Sequence, residues 1–168
     1  MGNLTAPAPL GAEHLLEGFD SGTASLDDWL RRRARGNQLS RASSTYVVAE
    51  AAKVVGYYCL ASGALALNEA PGAIKRNMPD PIPMAILGRL AVDRSWQGRG
   101  LGAALLRDAF ERTRAAGAII GIRGLLVHAL SLEARAFYEY HGFVSSPSRP
   151  MTLMMSLGEV QFRDEGLA

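Results

Sequence analysis

The sequence predicts an α/β (α+β) fold, a mixed β-sheet with helices flanking it. Three observations carry that expectation. The runs "STYVVAE" (Ser44–Glu50) and "VVGYYCLASGALAL" (Val54–Leu67) are rich in β-branched and aromatic residues. Only a short connection separates them, which is the pattern of a hairpin. Leu101–Ala116 places apolar residues at helical spacing and meets a stop at Gly117. A glycine-rich connection, "RSWQGRG", joins that helix to the strand-like "MAILGRLAVD" (Met84–Asp93).

From the N-terminus, residues 1–11 read as a loose arm and "AEHLLEGF" (Ala12–Phe19) as a first short strand. A helix follows. Ser25 with Asp28 fits a capping box, Leu26, Trp29, Leu30 and Arg33 keep helical spacing, and Gly36 is the expected stop. After the hairpin, "NEAPGAIKRNMPDPIP" (Asn68–Pro83) is rich in Pro and Gly and reads as a long loop. Beyond the Leu101–Ala116 helix come a strand, "GIRGLLVHAL", a short helix in "SLEARAFYEYHGF" ending near Gly142, and a last strand, "MTLMMSL". The predicted order is β–α–β–β–β–α–β–α–β.

Composition narrows the function classes. With 168 residues, 48% of them hydrophobic and 20% charged, the chain suits one globular domain spanning residues 1–168. No apolar run reaches the roughly 18 residues of a membrane span. The opening "MGNLTAPAPL" lacks the basic and apolar regions of a secretory signal, and Ala6 stands where a myristoylation motif needs Ser or Thr. Cys59 is the only cysteine, so no internal disulfide forms and a reducing cytoplasm is expected. It sits in an apolar run and reads as a buried residue.

The glycine connection carries the chemistry. A helix N-terminus presents unpaired N–H groups and partial positive charge, and glycines let a loop close tightly round an anion. Gln97, Gly98, Arg99, Gly100, Leu101 and Gly102 put such a loop between strand and helix. Arg99 adds a charge and Gln97 an amide. No Gly-Lys-Ser/Thr follows and the G-x-G-x-x-G spacing is absent, so neither a Walker loop nor a dinucleotide fingerprint fits. A diphosphate ligand does, with a bare turn as the simpler reading.

Q-x-x-G-x-G after "LAVD" resembles the acetyl-CoA pyrophosphate loop of the GNAT N-acetyltransferase superfamily. "EARAFYEYHGF" (Glu133–Phe143) is similar to the GNAT segment in which a short helix carries an aromatic pair and ends in Gly-Phe. The resemblance implies the GNAT fold, with the sheet splayed between its fourth and fifth strands. The pantetheine arm would lie in that gap against Leu90, Ala91 and Val92. Gln97, Gly98, Arg99, Gly100, Leu101, Gly102 and Ala103 would hold the pyrophosphate. Phe137 and Tyr138 would flank the sulfur, with Tyr138 as general acid. No metal is implied.

The chemistry agrees with that role. A tyrosine pKa of about 10 leaves Tyr138 protonated at neutral pH, ready to donate to a departing thiolate of pKa about 8.5. Backbone N–H groups near Val92 are candidate oxyanion donors. A base is harder to find. His128 lies near the end of an apolar strand, where a core histidine is the commoner reading. His14 and His141 read as surface residues, and Glu133 and Glu139 as solvated carboxylates. Without an obvious base, an α-amine, about a tenth neutral at pH 7, suits the site better than a lysine.

"FDSGTASLDDWLRRRA", "TYVVAE", "VVGYYCLASG" and "IPMAILGRLAVD" resemble the TacT-type toxins of bacterial type II toxin–antitoxin pairs. Ser21 departs from the cysteine of many relatives at a position without a catalytic role. This resemblance implies acetylation of the α-amine of aminoacyl-tRNA, a block to translation, a ribbon-helix-helix antitoxin and a homodimer. Arg31, Arg32, Arg33, Arg35 and Arg41 cluster around the first helix. Lys75, Arg76 and Arg89 are expected to hold the tRNA. Competing readings are a GNAT enzyme for a polyamine, an antibiotic or a protein N-terminus, and a non-catalytic acetyl-CoA-binding module. Tyr138 speaks against the last.

Overall fold

A computed structural model describes residues 3–158. Its strands form one mixed sheet in the order β1-β2-β3-β4-β5-β7-β6. The chain divides into two compact units. Among the described residues, one joins 3–61 with Gly88–Asp108, and the other joins Ser62–Leu87 with 109–158. The long strands β3 (Lys53–Leu65) and β4 (Ile82–Val92) contribute residues to both.

In the first unit, β1 (Ala8–Pro9) pairs antiparallel with β2 (Ser44–Glu50), and β2 with β3. The β2–β3 hairpin closes through Ala51 and Ala52, both at positive φ, with Glu50 opposite Lys53. Helices α1 (Ala24–Arg32) and α2 (Ala34–Leu39) supply Leu30 and Ala34 to a core with Phe19, Val47, Val54, Tyr57 and Ala91. The Tyr57 hydroxyl donates to the Leu26 carbonyl at 2.7 Å, so the buried phenol is satisfied where α1 meets the strand.

The second unit is built on β5 (Gly124–His128). It runs parallel to β4 and antiparallel to β7 (Thr152–Ser156), whose other neighbour is β6 (Val144–Ser145). Leu65, Ile74, Ile82, Met84, Leu126 and Met154 form its core. Only glycine fits at position 124, because a Cβ there would lie 2.5 Å from the Met155 carbonyl oxygen. The unit also holds α3 (Gly72–Lys75) and α5 (Leu132–Tyr140). Helix α4 (Leu101–Gly117) begins in the first unit and ends in the second.

Several expectations need correction. The arm is not loose over its described part. Leu4 bridges Glu50, the Thr5 N–H donates to the Ala49 carbonyl at 2.9 Å, and Ala8–Pro9 is the first strand. Ala12–Phe19 is not a strand but a run of turns, bridged to Lys53 at Leu15 and packed on the sheet by Leu16 and Phe19. The first helix starts earlier than the capping box implied, with Thr23 as its N-cap and no side-chain cap bond. Gly36 does not stop it, since the break falls at Arg33 and Gly36 lies inside α2. Asn68–Pro83 is not all loop either. It contains α3, and β4 begins at Ile82. Cys59 is buried, as its apolar surroundings predicted.

Candidate active site

The parallel β4–β5 ladder pairs Met84 through Leu87 with Gly124 through Val127. β4 then runs on through Gly88–Val92, carrying Leu90, Ala91 and Val92 past those pairs. At its end Asp93 turns the chain into a 3-10 turn, Arg94–Trp96, and accepts from the Ser95 N–H at 3.0 Å. Trp96 is buried and anchors the turn. Gln97 is extended. Gly98 (φ +78) and Gly100 (φ +85) adopt the left-handed conformation that side chains resist, and α4 starts at Leu101. The first helical bond donated beyond the loop runs from the Ala104 N–H to the Gly100 carbonyl at 3.1 Å. The N–H groups of Leu101, Gly102 and Ala103 therefore precede the helical ladder, at the positive end of a 17-residue helix. Backbone so arranged is able to cradle an anion.

The side chains around it do different jobs. Arg99 is exposed and stacks over the Trp96 ring at 4.6 Å, which steadies a cation beside the cradle. The Gln97 amide turns away from that task. Its nitrogen donates to the Ser21 carbonyl at 2.9 Å and the Val92 carbonyl at 2.8 Å. Arg89, on β4, stacks over Trp29 at 4.6 Å. It also lies beside the Cys59 thiol, whose pKa burial pushes up while Arg89 opposes the rise.

Tyr138, in the second unit, sits on α5. Ser131 starts that helix by accepting from the Ala134 N–H at 3.0 Å. Gly142 (φ +99) ends it, with the Phe143 N–H returning to the Tyr138 carbonyl at 3.1 Å. The turn folds the motif into an aromatic cluster. Tyr138 meets Phe137 edge-on at 5.2 Å and Phe143 at 5.5 Å. Burial alone pushes the Tyr138 phenol well above its ordinary value, so it stays protonated throughout the working pH range.

Lys75 closes α3 and Arg76 follows, both exposed in the second unit. Arg123 fixes their segment by donating to the Ala73 and Ile74 carbonyls at 2.9 and 3.0 Å. The first unit therefore holds the glycine loop, Leu90–Val92 and Arg89. The second holds Phe137, Tyr138, Lys75 and Arg76. His128 is exposed, its Nδ1 3.0 Å from the Thr152 hydroxyl. His141 is not on the surface but buried, packed against Phe137 at 4.9 Å. Glu139 pairs with Arg135 at 3.4 Å.

Sequence reasoning missed the turn that the loop leans on, Asp20–Gly22. The Asp93 carboxylate accepts from the Asp20 N–H at 3.0 Å, and the Asp27 carboxylate from the Ser21 N–H and hydroxyl at 3.0 and 2.6 Å. The signal available was the short polar run "FDSG" ahead of a helix, a turn composition that says nothing of a distant partner.

A family model for an acetyltransferase (GNAT) domain matches residues 41–145. A tRNA-acetylating toxin of Mycobacterium tuberculosis is 47% identical over 161 residues, which is 96% of this chain and 97% of that one. Among solved structures, AtaT complexed with acetyl-methionyl-tRNAfMet is similar with a TM-score of 0.85 and 30% identity, covering 92% of this chain and 95% of that one. A tyrosine-to-phenylalanine mutant of AtaT bound to the C-terminus of the antitoxin AtaR and acetyl-CoA gives a TM-score of 0.79 and 30% identity, covering 92% and 94%. With a glycine cradle opening α4, a buried phenol on α5 and a family match over most of its length, the chain belongs to the GNAT acetyltransferase family.

Proposed function

We propose that this acetyltransferase is a toxin that moves an acetyl group from acetyl-CoA to the α-amine of aminoacyl-tRNA and so blocks translation. The observation that carries the donor half is the loop with Gly98 and Gly100 left-handed, directly ahead of the free N–H groups of α4. The acceptor half is supported by the likeness, over nearly the whole chain, to a tRNA-acetylating toxin.

In this reading Gly98 through Ala103 receive the pyrophosphate, with Arg99 as counter-charge and Gln97 at the loop's base. Leu90, Ala91 and Val92 offer backbone to the pantetheine arm, and Phe137 lines the sulfur end. The amine nitrogen bonds to the thioester carbonyl carbon, the C–S bond breaks, and Tyr138 gives its proton to the sulfur. The amine's proton passes to solvent. No protein base is assigned, which suits an α-amine of pKa about 7.7–8.0. Lys75, Arg76 and Arg89 hold the tRNA. Residues 1–168 serve as one acetyltransferase domain, which works in the cytoplasm as a homodimer without a metal. A ribbon-helix-helix antitoxin neutralises it; the structure of the similar toxin AtaT bound to the C-terminus of the antitoxin AtaR supports an antitoxin as partner.

The test is incubation of the purified protein with labelled acetyl-CoA and total charged tRNA, followed by sequencing of the labelled tRNA. Label on the aminoacyl group of one or a few tRNAs is expected. Ready acetylation of spermine or an aminoglycoside with charged tRNA untouched would overturn the tRNA reading.

A further inference from the structure

We propose that the Asp20–Gly22 turn is a clamp on the acetyl-CoA loop, and that Gln97, Asp93 and Asp20 are positioning residues for cofactor binding. This rests on the reading of Gly98–Ala103 as the pyrophosphate site.

A glutamine amide has two N–H donors on its nitrogen and an acceptor on its oxygen. Both atoms facing the Gln97 nitrogen are acceptors, the carbonyls of Ser21 at 2.9 Å and Val92 at 2.8 Å. Each N–H is thereby committed. The only polar side-chain atom left is an acceptor, which repels phosphate. The residue that looks like a phosphate donor in the sequence is a strap. It ties the base of the loop back to the end of β4 and across to a turn 76 residues earlier.

The same turn is held at four further points. The Asp93 carboxylate takes the Asp20 N–H at 3.0 Å, while its other oxygen takes the Ser95 N–H and hydroxyl at 3.0 and 2.7 Å. The Arg94 N–H donates to the Asp20 carbonyl at 2.8 Å. The Arg94 guanidinium meets the Asp20 carboxylate at 3.3 Å, and that carboxylate also accepts the Gly22 N–H at 3.0 Å. Asp27, in the first turn of α1, fixes Ser21 by its N–H and hydroxyl. The turn is therefore bonded to α1 on one side and to the start of the loop on the other.

The loop needs such support. Gln97, Gly98 and Arg99 are exposed, and a Cβ built on Gly98 would find no atom within 4 Å. Packing does not fix the path of the chain at Gly98. Ordering a free glycine segment at the moment of binding costs conformational entropy, and a loop held beforehand avoids that cost. The clamp supplies the holding and makes no contact with the ligand's phosphates.

The experiment uses Gln97→Met, which keeps the stem and removes both donors, and Asp20→Ala, which removes an exposed carboxylate. Acetyl-CoA affinity is measured by calorimetry, and turnover with saturating charged tRNA. For Gln97→Met the dissociation constant should rise about tenfold, the effect of losing two neutral hydrogen bonds. Asp20→Ala should shift it in the same direction. kcat and the KM for charged tRNA should stay within about twofold of wild type, and the melting temperature should fall by no more than a few degrees, the cost of the lost bonds to the fold. Wild-type acetyl-CoA affinity in both variants overturns the clamp while leaving the cofactor site intact. A joint fall in kcat, tRNA affinity and melting temperature also overturns it, because that is general damage to the fold. If the wild-type protein itself binds no acetyl-CoA, the cofactor reading falls and the clamp with it.

Discussion

Replacing Tyr138 with Phe removes one hydroxyl and leaves the ring in place. Tyr138 is 6% exposed, and its ring contacts are with Phe137 at 5.2 Å and Phe143 at 5.5 Å. Phe keeps both. Among the described residues no side chain or backbone group hydrogen-bonds the phenol oxygen, so no partner is orphaned and stability should move by less than about 0.5 kcal/mol. The rate should respond differently. A positioned general acid contributes about 10²- to 10⁴-fold, which corresponds to about 2.7–5.5 kcal/mol in the barrier. The pH dependence sharpens the test. Below the thiol pKa of about 8.5 the departing sulfur must end protonated, and above it the thiolate survives alone. The phenol stays neutral on both sides of that value, because burial raises its pKa. The deficit of Tyr138→Phe should therefore be widest at neutral pH and narrow on the alkaline side. The assay is single-turnover transfer from labelled acetyl-CoA to charged tRNA, with acetyl-CoA affinity measured in parallel. A variant with wild-type rate at neutral pH would refute the acid role, and so would a deficit that only tracks a lowered melting temperature.

Gly100→Glu puts a side chain at φ +85 and a negative charge beside the helix N-terminus. Calorimetry should show acetyl-CoA binding lost with circular dichroism unchanged, and retained affinity would count against the cradle. Lys75→Ala with Arg76→Ala should weaken charged-tRNA binding and flatten its log–log salt slope by about 0.7–0.9 for each phosphate that is no longer neutralised. Acetyl-CoA affinity should be untouched, and an unchanged slope would remove both residues from the tRNA surface. Asp93→Asn tests a linkage. Burial would raise the Asp93 carboxyl pKa, but hydrogen bonds from Asp20 and Ser95, with the Lys53 charge, hold it below the ordinary value. A depressed carboxyl stabilises the fold above its unfolded pKa of about 3.9 and loses that contribution as pH falls through the folded value. Thermal melts should show wild type ahead of Asp93→Asn at neutral pH and the gap closing in acid. A gap independent of pH would contradict the carboxylate's role.

Elements whose signal is local were legible in the sequence. The β-branched run of β2 and β3, the helical spacing of α4 and the Gly142 stop of α5 all stand where their patterns put them. The glycine loop was legible because strand, glycines and helix are consecutive. What escaped is not local. Ala8–Pro9 is a strand only because β2 offers an edge to it, and two residues carry no periodicity. The hairpin turn at Ala51 and Ala52 takes positive φ without the Asn or Gly that marks such turns. Gln97 reads as a ligand donor until Ser21, far away in sequence, is seen to use its amide. The burial of His141 follows from the aromatic cluster around it, which a turn-like sequence hides.

The N-terminal segment along β2 also bears on solubility. β2 would otherwise be the outermost strand of the sheet, a seven-residue rail with open N–H and C=O groups. Such a rail invites strands from other chains. Thr5, Ala8, Pro9 and Leu10 occupy it instead, and Pro7 and Pro9 carry no N–H, so the new rim is a poor template in its turn. Residues 3–10 thus act as an edge guard. Trimming them as a dispensable tail would leave Tyr138 and the glycine loop in place and open β2 to intermolecular strand addition.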